Sequence, residues 1–225
     1  MEPSLGRALL SDAPLAELLP AYVRVESSVD DVDEPLFAAE EATVRSAVAE
    51  RRAEHATGRA LARRALAHHG VPAHAIPTGR RGEPLWPAGF VGSIAHCAGY
   101  RAAAVARADD VRGLGVDVEP RTVLAPSEIL VVTTPGERRR ALAADLPPEW
   151  SLHVFCAKEA AFKAVPVGHD QPLDPADIDV ELHLRTGSFT ATIGELRFSG
   201  CWGTTRTHVF AAALALWADV DRRTE

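Results

Sequence analysis

Two short stretches hold carboxylates and cations at spacings suited to a divalent metal and phosphate oxygens. They are GVDVEP, residues 115–120, and FCAKEAAFKAV, residues 155–165. In the first, the two-residue period of a strand puts Val116 and Val118 on one face and Asp117 with Glu119 on the other. Neighbouring carboxylates repel one another unless a cation sits between them. An all-oxygen donor set, with no His or Cys beside it, suits Mg²⁺, which takes one or two carboxylates and fills its octahedron with water and substrate phosphate. The same pattern also fits a solvated edge strand, so it is not decisive alone.

The second stretch contains Lys158 and Lys163, the only two lysines among 24 Lys and Arg residues. Lysine offers a compact, flexible point charge where arginine offers a planar fork. On a helical wheel, Phe155 and Phe162 lie within about 20° of each other, flanked by Lys158, Glu159 and Lys163. The remaining circumference is Ala, Cys and Val, so the helix has almost no polar face and is expected to be buried on most sides. Burying three charges is costly unless they are paired. An i,i+4 pair of Glu159 with Lys163 is one solution, better suited to an exposed helix. The other makes Glu159 a further metal ligand, with Lys158 and Lys163 on phosphate oxygens.

An anion-binding side is also legible. Arg51 and Arg59 stand two i,i+4 steps apart on one side of a helix, and guanidinium forks match phosphate geometry. With Arg52, Arg63 and Arg64 nearby, a solvated charged face is the alternative. Arg80 and Arg81 sit in the turn RRGEP, whose backbone N–H groups could face an anion. His96 ends an apolar strand in GSIAHC, as a core or surface residue or as a ligand. Arg138 to Arg140 read as a solvated helix face.

The elements that must position these residues follow from periodicity and punctuation. Residues 35–69, rich in Ala, Glu and Arg and closed by Gly70 and Pro72, read as one or two helices after a polar, acidic lead-in over 27–34. Residues 77–89 form a turn-rich loop. Three apolar runs, 90–96, 101–107 and 114–119, joined by short links, are expected to form an antiparallel meander. Residues 121–148 are irregular or helical and lead into a helix over 150–165, ended by Pro166 and Gly168. IDVELHL, SFTATI, LRFSG and THVFAAALALW read as further strands joined by hairpins.

Composition narrows the class. At 225 residues and 47% hydrophobic content, the chain can build one large core or two smaller ones. Cys97, Cys156 and Cys201 are odd in number and form no CxxC pair, which suggests neither a disulfide framework nor a zinc site and favours a reducing, cytoplasmic setting. The N-terminal MEPSLGRALLSDAPLAELLP mixes Glu, Asp and Pro among its leucines and is no secretory signal. No run of about 18 apolar residues is present, so no membrane partner is expected. The net charge of -7 argues against nucleic acid as a partner.

Taken in order, RRAEHATGR (51–59), GRRGEPLWPAGFVGSIAHCAGY (79–100), GVDVEP (115–120) and FCAKEAAFKA (155–164) resemble the phosphopantetheinyl transferases. The likeness is to the monomeric, two-subdomain class of surfactin-synthetase and enterobactin type, and is close to actinobacterial members. It covers about residues 36–165. The resemblance implies an α+β fold of two similar α/β subdomains with antiparallel sheets related by a pseudo-two-fold, residues 1–112 and 113–225, with the active site at their interface. It implies transfer of 4'-phosphopantetheine from coenzyme A to a serine hydroxyl of an acyl or peptidyl carrier protein of polyketide, fatty-acid or nonribosomal peptide synthases. Adenosine 3',5'-bisphosphate would be released.

By matching position, the resemblance assigns Mg²⁺, or Mn²⁺ in its place, to Asp117, Glu119 and Glu159 with the Val118 carbonyl close by. Lys158 and Lys163 would bind the pyrophosphate. Arg51, Arg59, Arg81, Gly82, Glu83, Pro84, Ala95 and His96 would line the coenzyme A site, together with Asp117. Glu159, directly or through a metal-bound water, would take the serine proton. This chain departs from the family's common pattern at Phe155, often Trp; at Arg81, a lysine in some relatives; and at Ala95, often a hydroxyl residue. A non-catalytic coenzyme A or carrier-binding protein of the same fold is the alternative. Its expected sign, loss of an acidic ligand, is absent.

Overall fold

In the computed structural model the described residues are 7–8, 14–166, 169 and 173–216. The readings placed on the rest of the N-terminal segment before Pro14, on Gly168 and on Trp217 lie outside them. In chain order the elements are β1 (Arg7–Ala8), β2 (Arg24–Ser28), α1 (Ala38–Val44), α2 (Ala49–Ala67), β3 (Phe90–Cys97), β4 (Tyr100–Arg107), β5 (Gly113–Pro120), α3 (Pro126–Val132), α4 (Pro135–Ala143), α5 (Trp150–Lys163), β6 (Asp179–His183), β7 (Ser188–Ile193), β8 (Leu196–Thr204) and β9 (His208–Ala215).

A strand covered on both faces reads as an unbroken apolar run, and β4, YRAAAVAR, is one. It is the middle strand of an antiparallel sheet ordered β2-β4-β3. On one side of this sheet the buried Leu61, Ala62, Ala65 and Leu66 of α2 pack with Ile76, Ala103 and Val105. On its other side Ala102, Ala104 and Ala106 meet Val116, Val118, Phe210 and Ala212 in a core shared with the second sheet. That sheet runs β5-β9-β8-β7-β6, antiparallel throughout, with β1 added parallel to β8. Its outer face is closed by α5 through Ala157, Ala160, Ala161 and Ala164 against Phe189, Phe198 and Trp202. The result is an α+β arrangement of two helix-on-sheet halves packed sheet to sheet.

The helices expected over 35–69 and 150–165 are present, and so are the four strands of the C-terminal meander. The three-strand meander is corrected. β3 and β4 form a hairpin, but β5 leaves them and pairs with β9 along its whole length, from Gly113 opposite Ala215 to Pro120 opposite His208. The ladder with β9 takes the bonds of alternate β5 residues, and on the other edge the Val116 N–H donates to Ser93 Oγ of β3 at 3.0 Å. The strand β2 was hidden from the sequence because its RVESS is a polar, half-exposed edge.

One buried histidine in α2 makes stability depend on pH. His55 has no hydrogen-bond partner at Nε2, and burial, followed by the positive fields of Arg59 and Arg51, lowers its pKa to about 4. The unfolded chain, with an ordinary histidine near 6.5, therefore takes up a proton that the folded chain refuses between these values. Stability is expected to be full above about pH 6.5 and to fall as pH drops toward 4. Denaturant melts at stepped pH should show this slope flattened in His55→Phe; an identical slope in that variant would assign it to other groups.

Candidate active site

Strand alternation in β5 sends Val116 and Val118 into the core between the sheets and leaves Gly113, Gly115, Asp117 and Glu119 beneath α5. The two glycines let the helix backbone rest directly on the strand. A Cβ at Gly115 would overlap the carbonyl oxygen of Ala160, and one at Gly113 that of Ala164. Where the glycines end, Asp117 and Glu119 rise beside the helix face that carries Glu159 and, one turn on, Lys163.

Lys163 Nζ donates to Asp117 Oδ1 at 2.6 Å. Burial works against its charge, but Asp117 and Glu159 outweigh it and raise its pKa above the ordinary lysine value. Asp117 is 4% exposed, and its Oδ2 is buried with no hydrogen-bond partner. Burial, then the charge of Asp117 and more weakly that of Glu159, pushes Glu119 up to about 7 against the opposing field of Lys163. Glu159 is raised too, by burial first, with Lys163 opposing and Asp117 adding. Lys163 alone thus leaves an excess of repulsion and burial cost on the carboxylates.

That excess, the unpartnered Asp117 oxygen and a donor set made only of oxygens fit Mg²⁺ chemically. Among the described residues, however, no three His, Cys, Asp or Glu side chains close around one point. The carboxylates are neighbours rather than a finished ligand cluster. Val118 turns its side chain into the core, so a part for it in metal binding falls to its carbonyl.

The charges of the other half come close. Arg51 Nη1 lies 2.8 Å from His96 Nε2, and Glu54 Oε2 lies 3.4 Å from Arg51 and 3.7 Å from His96 Nδ1. The pKa of His96 is lowered by burial, which Glu54 opposes and which Arg51, Lys163 and Arg101 reinforce. The thiol of the next residue, Cys97, is pushed up to about 12 by burial and by Glu119 and Asp117. The end of β3 thus stands within electrostatic reach of the carboxylates at the end of β5. Arg81 extends from an exposed turn, its Nη1 3.5 Å from the His169 carbonyl. Gly82, at φ +87°, supplies the left-handed residue of that turn, and Glu83 locks it by accepting the Gly79 and Arg81 N–H groups at 2.7 and 2.8 Å. Pro84 bridges back to Thr78. Ala95 is a core side chain, leaving only its backbone for a ligand.

Two of the residues assigned to the ligand are engaged by protein groups. Lys158 is 3% exposed and pairs with Glu137 at 3.0 Å, as an ion pair rather than an aligned hydrogen bond. It lies 100° around the helix from Glu159 by the α-helical period, on a different face from Lys163. Its charge has a protein partner in Glu137. Arg59 is likewise buried: its Nε donates to the Ile76 carbonyl at 2.7 Å and its Nη2 to Thr78 Oγ1 at 2.9 Å. Two of its fork nitrogens thus tie α2 to the loop.

Sequence reasoning missed Glu54, Glu137 and the glycines at 113 and 115. The glycines left a signal, since GLGVDVE puts small residues on one strand face and the helix EAAFKA offers small residues in return. Glu54 and Glu137 left none, because nothing distinguishes them from other helical glutamates.

Comparison with known proteins agrees with this arrangement in both halves. Residues 39–106 match the family described as 4'-phosphopantetheinyl transferase N-terminal domain, and residues 113–215 match the 4'-phosphopantetheinyl transferase superfamily. The chain is 42% identical over 188 residues to 4'-phosphopantetheinyl transferase Svp of Streptomyces mobaraensis, covering 80% of this chain and 76% of that protein. It is 48% identical over 120 residues to 4'-phosphopantetheinyl transferase PptT of Mycobacterium tuberculosis, 52% of each chain. It is 40% identical over 129 residues to enterobactin synthase component D of Salmonella typhi, 54% of this chain and 51% of that one. With β5, α5 and the Arg51–His96 group all inside matched segments, the chain belongs to the 4'-phosphopantetheinyl transferase family.

Proposed function

We propose that the chain transfers the 4'-phosphopantetheine group of coenzyme A to a carrier-protein serine, with the acidic end of β5 and the Glu159–Lys163 face of α5 as the reacting site. The observation that carries this reading is the Lys163–Asp117 pair set beside two carboxylates whose pKa values are raised. The serine Oγ forms a bond to the β-phosphorus, the phosphorus–oxygen bond to the α-phosphate breaks, and adenosine 3',5'-bisphosphate leaves. Phosphoryl transfer of this kind needs positioning and charge neutralisation more than covalent help from the protein. Mg²⁺, held by Asp117, Glu119 and Glu159, would neutralise the pyrophosphate and offset the carboxylates' mutual repulsion. Glu159, with its raised proton affinity, takes the serine proton. Lys163 offers the compact cation for a phosphate oxygen. Arg51, His96 and the 80–84 turn are the surfaces we assign to coenzyme A.

The carrier is placed on the apolar groove between α3 and α5. Leu124, Val131, Val132 and Phe155 line it, and Phe155 is one turn from Glu159 on the same helix face. Apolar docking suits a chain of net charge -7 meeting an acidic carrier. Cytoplasmic residence as a monomer fits the thiols Cys97 and Cys156 and a site assembled from one chain. We take residues 1–112 and 113–225 as the two subdomains, since β5 opens the strand path β5-β9-β8-β7-β6 of the second sheet, to which the N-terminal β1 is added.

The decisive experiment incubates apo carrier proteins of several synthase types with this chain, coenzyme A and Mg²⁺. A mass gain of one phosphopantetheine group is expected on at least one carrier. Retained coenzyme A binding with no mass gain on any carrier would favour the non-catalytic alternative. Lys163→Arg is expected to weaken transfer, because a planar fork cannot occupy the 2.6 Å position beside Asp117 in the same way. Full activity in that variant would remove the requirement for a compact cation.

A further inference from the structure

Two buried glutamates outside the proposed chemistry are built into the two halves in the same way. Glu40, third residue of α1, is fully buried. Its Oε2 accepts the Phe37 N–H at 2.9 Å and its Oε1 the Ile76 N–H at 2.8 Å. Arg63 of α2 sets Nη1 between both oxygens, at 3.1 and 3.0 Å. Ile76 is gripped from its other side as well, where its carbonyl accepts from Arg59. Glu137, third residue of α4, is 2% exposed. Its Oε2 accepts the Thr134 N–H at 2.6 Å, its Oε1 the Val180 N–H at 2.7 Å, and Lys158 of α5 lies 3.0 Å from Oε2. The Val180 carbonyl in turn accepts from Arg140 Nη2 at 3.0 Å.

Each carboxylate thus ties a short helix, a long helix and a distant segment at one dry point. A buried carboxylate needs its lone pairs filled, so each knot is specific in geometry as well as charge. What they hold differs. Glu40 and Arg59 fix Ile76 and Thr78, from which the turn bearing Arg81, Gly82 and Glu83 springs. Glu137 fixes Lys158, the sequence neighbour of Glu159 on the helix that also carries Lys163.

We propose that Glu40 and Glu137 are positioning residues for the two sides of the transfer site: Glu40 sets the coenzyme A turn, and Glu137, through Lys158, sets the helix bearing Glu159 and Lys163. This rests on the transfer reading above. Their losses then fall on different kinetic parameters. A displaced turn weakens donor binding, and a shifted helix misplaces the reacting groups while leaving the donor bound.

Steady-state transfer kinetics and calorimetric titration with coenzyme A test this. Glu40→Gln should raise KM and Kd for coenzyme A about 10-fold, with kcat near that of the unaltered protein. Glu137→Gln should lower kcat about 10-fold or more with coenzyme A affinity unchanged. Each leaves a cation buried beside a neutral group, so Glu40→Gln/Arg63→Met and Glu137→Gln/Lys158→Met, which remove both charges, carry the test if a single variant fails to fold. Both double variants should show the same split as their parents. Weaker coenzyme A binding in Glu137→Gln/Lys158→Met would place Lys158 on the donor and overturn the proposal. So would equal losses in all four variants that follow only their melting temperatures. If the unaltered protein binds coenzyme A yet modifies no carrier, the transfer reading fails instead, and the affinity split still decides the part played by Glu40.

Discussion

Glu159→Gln is expected to lower phosphopantetheine transfer by about a hundred- to ten-thousand-fold, the range for removing a positioned general base, while the protein stays folded. The physical ground is the direction of the Glu159 pKa. Burial raises it, so the ionised side chain is held at a cost that a neutral isostere does not carry. Thermal stability should therefore be equal or slightly higher in the variant. Loss of rate at unchanged stability separates a chemical role from a packing one. Glutamine would also remove one of the three carboxylates we propose for Mg²⁺, so the Mg²⁺ concentration for half-maximal rate should rise. A rate within twofold of the unaltered protein, on the scale set by general-base catalysis, would remove Glu159 from both roles.

Gly115→Ala is expected to cost at least about 3 kcal/mol of stability, as a clash with main chain leaves little room to relax. For a chain of this length that corresponds to a fall of roughly 6–12 °C in melting temperature. The added methyl meets the carbonyl oxygen of Ala160 and lies 2.6 Å from the Ala164 nitrogen. These are helix backbone atoms, which cannot swing aside as a side chain would. The helix must move off the strand, taking Glu159 and Lys163 away from Asp117 and Glu119. Activity should then be lost even in the fraction that remains folded. An unchanged melting temperature would mean that the close approach of α5 to β5 does not hold in solution.

Both expectations depend on the same contact, which explains why the site needs more than its charged residues. Asp117 and Glu119 can face one way only because β5 alternates, and Glu159 with Lys163 can face them only because nothing larger than a hydrogen stands at 113 and 115. The small residues of GLGVDVE and KEAAFKA form one packing device, split between a strand and a helix more than 30 positions along the chain.

Local pattern in the sequence was enough for the α2 and α5 helices, the C-terminal meander, the shared face of Asp117 and Glu119, and the nearness of Glu159 to Lys163. Each of these rests on periods of 2 or 3.6 residues, which are set by backbone geometry over a few residues. The family likeness also followed from ordered short blocks. Only the tertiary structure decided where β5 pairs, because a strand's partner is chosen by the ladder and the core it completes and not by its own alternation. It also decided which lysine faces the carboxylates. The helical period fixes the angle between Lys158 and Lys163, but Lys158 is paired with Glu137, 21 positions earlier, and Lys163 with Asp117, 46 positions earlier. Arg59 turned inward for the same reason, held by the Ile76 carbonyl. A buried charge takes the partner that folding brings to it, and no spacing along the chain records which one that is.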